Sequence, residues 1–428
     1  MLVGISLLLT FGLWSYQPNN DVYNGQNLRN SVDIGGEELT KQAIIEPSKI
    51  MFHASGEHFG FVDQSAQHNL FKDIQLWTLY DFKITQEKVN SKDKKQVEIV
   101  FPEAVPMTIT PGLFTFDQVD TIGFPEWSFK RMVITFNQKK SILQIHFISE
   151  NGGQQAIATV NNSSKYDLLI AKLAKKNGLE EFIAFDKGRE PIYIPAQNVT
   201  MIKRKITIDS IVQTKLVQAL FREPSIVDRS NGNYSDGVRG MRILNDGRKM
   251  EYYNTIDPDI NPDSGQINAA ELIELSLKNI NDHKGWTDDY RLVSIDPPKN
   301  KIRYRMYYEG YPAFSDTELT IIEQQWRNNE LYKYNRSLIK LKRVLDSNEV
   351  TLQSGSAIID YLKTSYASTK DIGLIQGIQL GYEYHYQSDT SNIITLVPAW
   401  FIKVNDHWQN FKDLEPKKGG ALDAMEPN

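Results

Sequence analysis

The residues best spaced for chemistry lie in Asp257-Pro-Asp259-Ile-Asn261-Pro-Asp263-Ser-Gly265, followed by Ile267 and Glu271. Alternating oxygen side chains, an apolar residue and then a glutamate are the ingredients of a calcium loop, where carboxylates and carbonyls ring a hard cation. The spacing fails that pattern. Counted from Asp259, the glutamate falls one place late and Ser264 stands where the sharp turn needs glycine. Counted from Asp257, the sixth place is Pro262 and the twelfth is Asn268, which offers no bidentate carboxylate. The stretch predicts a Pro-rich turn leading into an N-capped helix, and no metal site is expected.

The histidines, at 53, 58, 68, 146, 283, 385 and 407, show no metal-ligand spacing and read as structural or surface residues. His53, His58 and His68 share a region but are assigned to a strand, a loop and a helix start. Cysteine is absent, which removes disulfides, thiolate metal sites and cysteine nucleophiles together. No G-x-S-x-G elbow supports hydrolase chemistry, and no P-loop or strand-linked G-x-G-x-x-G cradles a phosphate. Adjacent carboxylates such as Glu37-Glu38, Glu180-Glu181 and Asp288-Asp289 diverge on a helix or strand and read as solvated. The expectation is no catalytic residue, no cofactor and no enzyme. A net charge of −5 without a long basic run argues against nucleic acid as a partner, because phosphate contacts need clustered Lys and Arg.

The elements must then position contacts. The first sixteen residues, Met1 to Tyr16, carry no charge and are ended by Gln17-Pro18-Asn-Asn-Asp21. As a helix they rise about 24 Å, short of the ~30 Å hydrocarbon core. A secretory signal needs a basic flank and a small-residue cleavage site, whereas bulky Trp14-Ser-Tyr16-Gln-Pro18 stands here. A buried core helix is the third alternative. Trp14 and Tyr16 suit a membrane–water boundary, so residues 1–16 are expected to be the outer half of a transmembrane helix. Basic residues and one or two further turns are expected upstream of Met1. Gly4, with Ser6 and Gly12, would let a partner helix approach, while Leu7, Leu8, Leu9, Phe11, Leu13 and Trp14 fill the contact.

Residues 17–46 are polar and read as a weakly ordered spacer. An N-terminal α+β domain is expected over 47–205, starting with a strand at Pro47–His53. A helix is predicted from Ala66 to Phe82, then strands at Gln96–Phe101, Met107–Thr110, Arg131–Phe136, Ser141–Ile148 and Gln154–Val160. A second helix, Ser163–Lys176, has capping candidates at its start and Asn177-Gly178 as its stop.

The second half repeats an order of elements, giving a central module over 206–310 and a C-terminal one over 311–412, with a loose tail at 413–428. A helix at Asp209–Phe221 precedes the first copy. That copy is a hairpin turning at Asn245-Asp246-Gly247, a helix from Asn268, then strands at Tyr290–Ile295 and Lys301–Tyr308. The second copy is a hairpin turning at Arg327-Asn-Asn329, a helix at Ser356–Thr364, then strands at Ile372–Tyr386 and Asn392–Val404. Leu338–Leu345 reads as an extra helical segment. The expected fold class is α+β: three modules in series, antiparallel sheets with helices on one face, the last two duplicated. Tyr304 to Phe314 and Pro398-Ala-Trp400-Phe401 read as core and interdomain packing, or else as a peptide- or protein-binding groove.

Several stretches in order give a resemblance. The apolar start running into Leu13-Trp14-Ser-Tyr-Gln-Pro18, the strand after Pro47-Ser-Lys49, Tyr307-Tyr-Glu-Gly-Tyr-Pro312, Gly381-Tyr382 and Leu396-Val-Pro-Ala-Trp400 are similar to the YycH proteins of Gram-positive bacteria. The resemblance covers essentially the whole chain. It implies a single-pass membrane protein with a large three-domain extracytoplasmic part whose last two domains look like the related YycI protein. It further implies an accessory regulator of the WalK/WalR (YycG/YycF) two-component system that governs cell-wall metabolism. A WalK-like histidine kinase, met through the membrane, and a YycI-like protein are the implied partners. No catalytic residues carry over. The alternative function is an extracytoplasmic ligand- or peptide-binding sensor module; a cell-wall enzyme is the poorest.

Overall fold

The computed structural model describes residues 32–86, 95–138, 141–186, 190–255, 265–365, 373–386 and 392–414. The expected membrane-contact residues Gly4, Leu7, Leu8, Leu9, Phe11, Leu13 and Trp14 lie outside them. So do Asp257, Asp259, Asn261 and Asp263 of the calcium-like stretch. No helix among the described residues is long and apolar enough to cross a membrane.

After a short helix α1 (Lys41–Ile44), the first half supplies ten strands. They are β1 (Lys49–Ala54), β2 (Glu57–Gly60), β3 (Thr78–Thr85), β4 (Gln96–Pro106) and β5 (Thr115–Phe116). The rest are β6 (Ser128–Asn137), β7 (Ile142–Ser149), β8 (Gln155–Val160), β9 (Glu180–Phe185) and β10 (Ile192–Pro195). They form one sheet in the order β10-β9-β2-β1-β4-β6-β7-β8-β3-β5, antiparallel except for β3 against β5. The strict alternation of β7 buries Leu143, Ile145 and Phe147, the pattern of a sheet with one covered face. The cover is two helices, α2 (Gln64–Gln75) and α3 (Ser163–Lys175), joined by the Lys165–Asp73 ion pair at 2.5 Å. Asn162 caps α3 by accepting from the Lys165 N–H, and Lys176 ends it in the left-handed conformation.

The second half contributes β11 (Val199–Ser210), helix α4 (Gln213–Leu220), β12 (Asp228–Ser230), β13 (Asn233–Ser235), β14 (Arg239–Leu244) and β15 (Lys249–Asn254). Helix α5 (Ala269–Asn281) leads to β16 (Tyr290–Asp296), β17 (Lys301–Tyr308), β18 (Tyr311–Phe314), β19 (Ile321–Arg327), β20 (Glu330–Ser337) and β21 (Ile339–Leu352). Helix α6 (Gly355–Ser365), β22 (Ile375–Tyr386), β23 (Ile393–Val404) and β24 (His407–Asn410) complete it. The sheet order is β12-β13-β14-β15-β20-β19-β17-β18-β22-β23-β11-β21, with β16 on β17 and β24 on β23. The fold is α+β and almost wholly antiparallel. A hairpin, a helix and two strands do occur twice, as β14/β15-α5-β16/β17 and β19/β20-α6-β22/β23. Pairing then joins the copies: β20 lies on β15 and β19 on β17 across residue 310, and β11 runs past residue 205 to pair with β21 and β23.

Four sequence expectations are corrected. The helix over 66–82 stops at Gln75; from Thr78 the chain is strand, pairing first with β5 and from Tyr80 with β8, because sheet pairing outcompetes the helical spacing of Trp77 and Asp81. Met107–Gly112 is a 3₁₀ turn, since Pro111 has no N–H for a ladder. Of Leu338–Leu345, Leu338 is a bend and the rest is strand, paired with β11 along the length of β21. The spacer over 17–46 ends in ordered chain, with Ile34, Ile44 and Ile45 buried. Of the expected tail, Asp413 and Leu414 are described, and the Leu414 carbonyl accepts from the Tyr361 hydroxyl at 2.6 Å.

Candidate functional site

Two of the contacts between the sheets gather the polar and titratable groups of interest. The first is a strap made by residues 33–46. The backbone N–H groups of Ile34, Gly36 and Glu37 donate to the carbonyls of His283, Lys284 and Trp286 at 3.2, 3.1 and 3.1 Å. Asn281, the last residue of α5, brackets Leu39 with hydrogen bonds to its N–H and carbonyl at 3.0 and 2.9 Å. Gly36 is required here, because a Cβ would stand 2.5 Å from the Trp286 carbonyl oxygen. Beneath this loop the fully buried Arg336 guanidinium donates to the Gly285 carbonyl (2.9 Å), the Tyr334 hydroxyl and Thr287 Oγ1 (both 3.1 Å). Burial first, and the Arg336 charge second, pull the His283 imidazole down to about 3, so it is neutral. Past the strap, buried Glu46 receives Arg291 Nη1 at 2.7 Å and His68 Nδ1 at 2.9 Å, and Arg291 also grips Asp289 through two nitrogens.

The second contact is a cavity of about 50 Å³. One side is Pro47-Ser48-Lys49 at the start of β1, Phe61 and Val62, Gln67 of α2, Phe182 of β9 and Pro195 of β10. The other is the β17–β18 turn with Tyr307, Gly310, Tyr311 and Pro312, plus Leu380 of β22 and Trp400 of β23. The Tyr311 hydroxyl donates across the junction to the Val62 carbonyl at 2.6 Å. Gly310 has φ +77° and a Cβ there would come 2.4 Å from Gln64 Cβ, so the turn reaches α2 only as glycine. Lys49 Nζ donates to the Tyr193 carbonyl on the first sheet and to the Ile378 carbonyl on the second at 3.5 Å. Burial pulls its ammonium down to about 8.

Four of the five stretches quoted for the family resemblance, those within the described residues, thus converge. Pro47 to Lys49, then Tyr307, Gly310, Tyr311 and Pro312, and Trp400 line the same cavity, and Gly381 sits against it, since a Cβ there would lie 2.7 Å from the Pro312 carbonyl oxygen. The structure also brings together two histidines that the sequence reading assigned to separate elements. Ser55 and Gly56 have positive φ in a two-residue turn, so β1 and β2 form a hairpin that pairs His53 with His58. His53 Nε2 lies 2.9 Å from Glu98 Oε2 and its Nδ1 lies 2.7 Å from His58 Nδ1, so the two rings and the carboxylate form one hydrogen-bonded chain. Burial raises the Glu98 carboxyl, but the His53 hydrogen bond and the Arg131 charge outweigh it and hold it low. Burial first and the charge of His53 second lower the His58 imidazole. Ser55-Gly56 was the signal that could have revealed this hairpin. Among the described residues no group of three or more acidic or histidine side chains is arranged to hold a metal. Glu271 is engaged in a cap, its N–H donating to Asn268 Oδ1 at 2.9 Å.

These features define an α+β protein of two antiparallel sheets, strapped by its own N-terminal segment and enclosing a cavity at their junction. Models of the YycH protein N-terminal and C-terminal domains match residues 1–177 and 189–418. The chain belongs to the YycH family. It is 23% identical to the "Two-component system WalR/WalK regulatory protein YycH" of Bacillus subtilis (strain 168), with 98% of this chain and 96% of that protein covered. Its fold is similar to the crystal structure of YycH from Bacillus subtilis, with a TM-score of 0.71, 21% identity, and coverage of 88% of this chain and 99% of that one.

Proposed function

We propose that the chain is a non-enzymatic, membrane-anchored regulatory protein that modulates a WalK-type sensor histidine kinase, together with a YycI-like protein, and so affects cell-wall metabolism. Its bulk would be extracytoplasmic, behind a single transmembrane helix. The reading rests on family membership and on the Bacillus subtilis relative, named a regulatory protein of the WalR/WalK system. The strap carries it physically. Chain on the side of the proposed anchor is hydrogen-bonded at Ile34–Leu39 to the end of α5 and the α5–β16 loop before it enters the first sheet at Lys49, a route by which a displacement of the anchor would reach both halves. Gly4, Leu7, Leu8, Leu9, Phe11, Leu13 and Trp14 would form the helix face that meets the kinase in the bilayer.

The test exchanges residues 1–16 for an unrelated anchor and reads transcription of the kinase's target genes in cells. Altered transcription is expected. Unchanged transcription, with the ectodomain exported at normal level, would remove the anchor from the mechanism. The second reading, a ligand-sensing ectodomain, is favoured by the cavity around Lys49.

A further inference from the structure

β21 is the end strand of the second sheet, and among the described residues no strand lies on its outer side. Its first residues are covered: Lys340 Nζ donates to the Gly35 carbonyl, and Asp288 Oδ1 accepts from the Leu341 N–H at 3.0 Å. From Lys342 to Glu349 every residue is exposed, so this part of the strand has water on both faces. A row of unpaired N–H and C=O groups along such an edge is a template for another strand. Two apolar side chains stand in the middle of the run, Val344 at 41% and Leu345 at 48% exposed. Charge is divided around them, with Lys342 and Arg343 before and Asp346 and Glu349 after. Lys342 is held within the chain by Asp209 at 3.0 Å, and Asp346 accepts from the Ser347 N–H and Asn348 Nδ2. The side chains of Arg343 and Glu349 have no partner among the described residues.

Lysines and bulges are devices that keep an edge from pairing, and β21 has both. Its register against β11 shifts between Lys205 and Ile206 and again between Thr207 and Ile208. The first shift has the opposite consequence here. It leaves Leu345 without a counterpart, so Asp346 lies opposite Lys205 and Arg343 opposite Thr207. Lys205 and Thr207 are two apart on β11 and share a face, so Arg343 and Asp346 share a face of β21 although they are three apart. A second β21 laid antiparallel on the first, with the two-fold axis between Val344 and Leu345, sets each Arg343 opposite Asp346 of the other copy. Each Val344 then meets the other copy's Leu345. A two-fold contact repeats every pair, so one charged strand supplies both halves of the match; a parallel copy in register would set like charges side by side. We propose that β21 pairs antiparallel with β21 of a second copy of this chain, the two second sheets becoming one sheet across a pair of Arg343–Asp346 contacts. This goes beyond the regulatory reading and needs neither the anchor nor the kinase.

The full chain, kept in mild detergent, is followed by analytical ultracentrifugation over a range of concentrations. A species of twice the 49.1 kDa chain mass is expected. Arg343→Asp and Asp346→Arg each turn both cross-copy pairs into repulsions and should weaken association about tenfold or more. The double variant exchanges the two charges and should restore it. Thermal unfolding of these surface variants should match the parent. Because the chain has no cysteine, Leu345→Cys supplies a single thiol, and its copies should join in a disulfide under mild oxidation. Ile226→Cys, at another exposed site, should not. The proposal is overturned if the parent sediments as a monomer at up to about 100 µM. Single reversals that associate as tightly as the parent, or a double variant that fails to recover, would also overturn it. So would Leu345→Cys copies that link no faster than Ile226→Cys copies, or a monomeric parent whose β21 is taken by a YycI-like protein instead.

Discussion

At the strap, the two sheets are joined by charge and backbone: Arg291 sits between Glu46 and Asp289, and N–H groups of residues 34–37 feed a loop that Arg336 props from below. At the cavity they are joined by aromatic and aliphatic side chains around one lysine, with space left over. The first contact is complete, with Glu46 paired to Arg291 and the Arg336 guanidinium filled by carbonyl and hydroxyl acceptors. The second is incomplete in both volume and charge. A complete contact fixes a geometry, whereas an incomplete one can change with what occupies it.

The comparison breaks most sharply at Arg291. Arg291→Ala leaves Glu46 buried with only His68 and should cost about 3–5 kcal/mol, the penalty for orphaning one member of a buried pair. Urea unfolding measures it, and a loss below 1 kcal/mol would mean that the strap contact is not the stronger one. Next comes Gly310→Val on the cavity side. Positive φ and the approach of Gln64 should together cost about 2–3 kcal/mol and open the junction, read as increased solvent quenching of tryptophan fluorescence. Unaltered quenching would separate the turn from the docking of the sheets.

A smaller effect is expected from pH. Burial pushes the Asp288 carboxyl from 3.8 up to about 7. A carboxyl raised on folding holds its proton more tightly in the folded state, so this group's contribution falls as pH rises from about 4 to about 7 and is constant above. Asp288→Asn keeps an oxygen for the Leu341 N–H, now at 3.0 Å, and should flatten that slope. The variant should gain about 1–2 kcal/mol over the parent at pH 8, allowing for partial solvent screening. Urea midpoints at pH 5 and pH 8 decide it; identical slopes in parent and variant would contradict the assignment. The smallest effect is expected at Lys41, whose ion pair with Glu274 is half open to water. Lys41→Ala should change stability by less than about 0.5 kcal/mol. A larger loss would mean that surface charge, as well as the buried Glu46–Arg291 pair, holds the strap.

Much of the fold was legible because it follows from local pattern. The alternation of β7, the Asn162 cap of α3, the turn at Asn245-Asp246-Gly247 and the Asn268 cap of α5 each specify their element from neighbouring residues. Where the reading failed, a distant partner decided. Thr78–Thr85 became strand because β5 and β8 offered edges, and Ile339–Leu352 because β11 did. Ile34, Ile44 and Ile45 lie in a stretch read as a polar spacer, yet all three are buried in the main apolar core, which draws on residues from both halves of the chain.

The candidate site divides in the same way. Composition and spacing alone excluded thiol chemistry and argued against a calcium loop, because those need particular residue types at particular intervals. The aromatic run through Tyr311 and the segment ending at Trp400 could be recognised as junctions from their glycine and prolines. That they meet each other, and that both meet Lys49, depends on the parallel pairing of β18 with β22 and on the packing of one sheet against the other. Local chemistry sets which elements form; contacts between residues far apart in the chain set which of them enclose a charge.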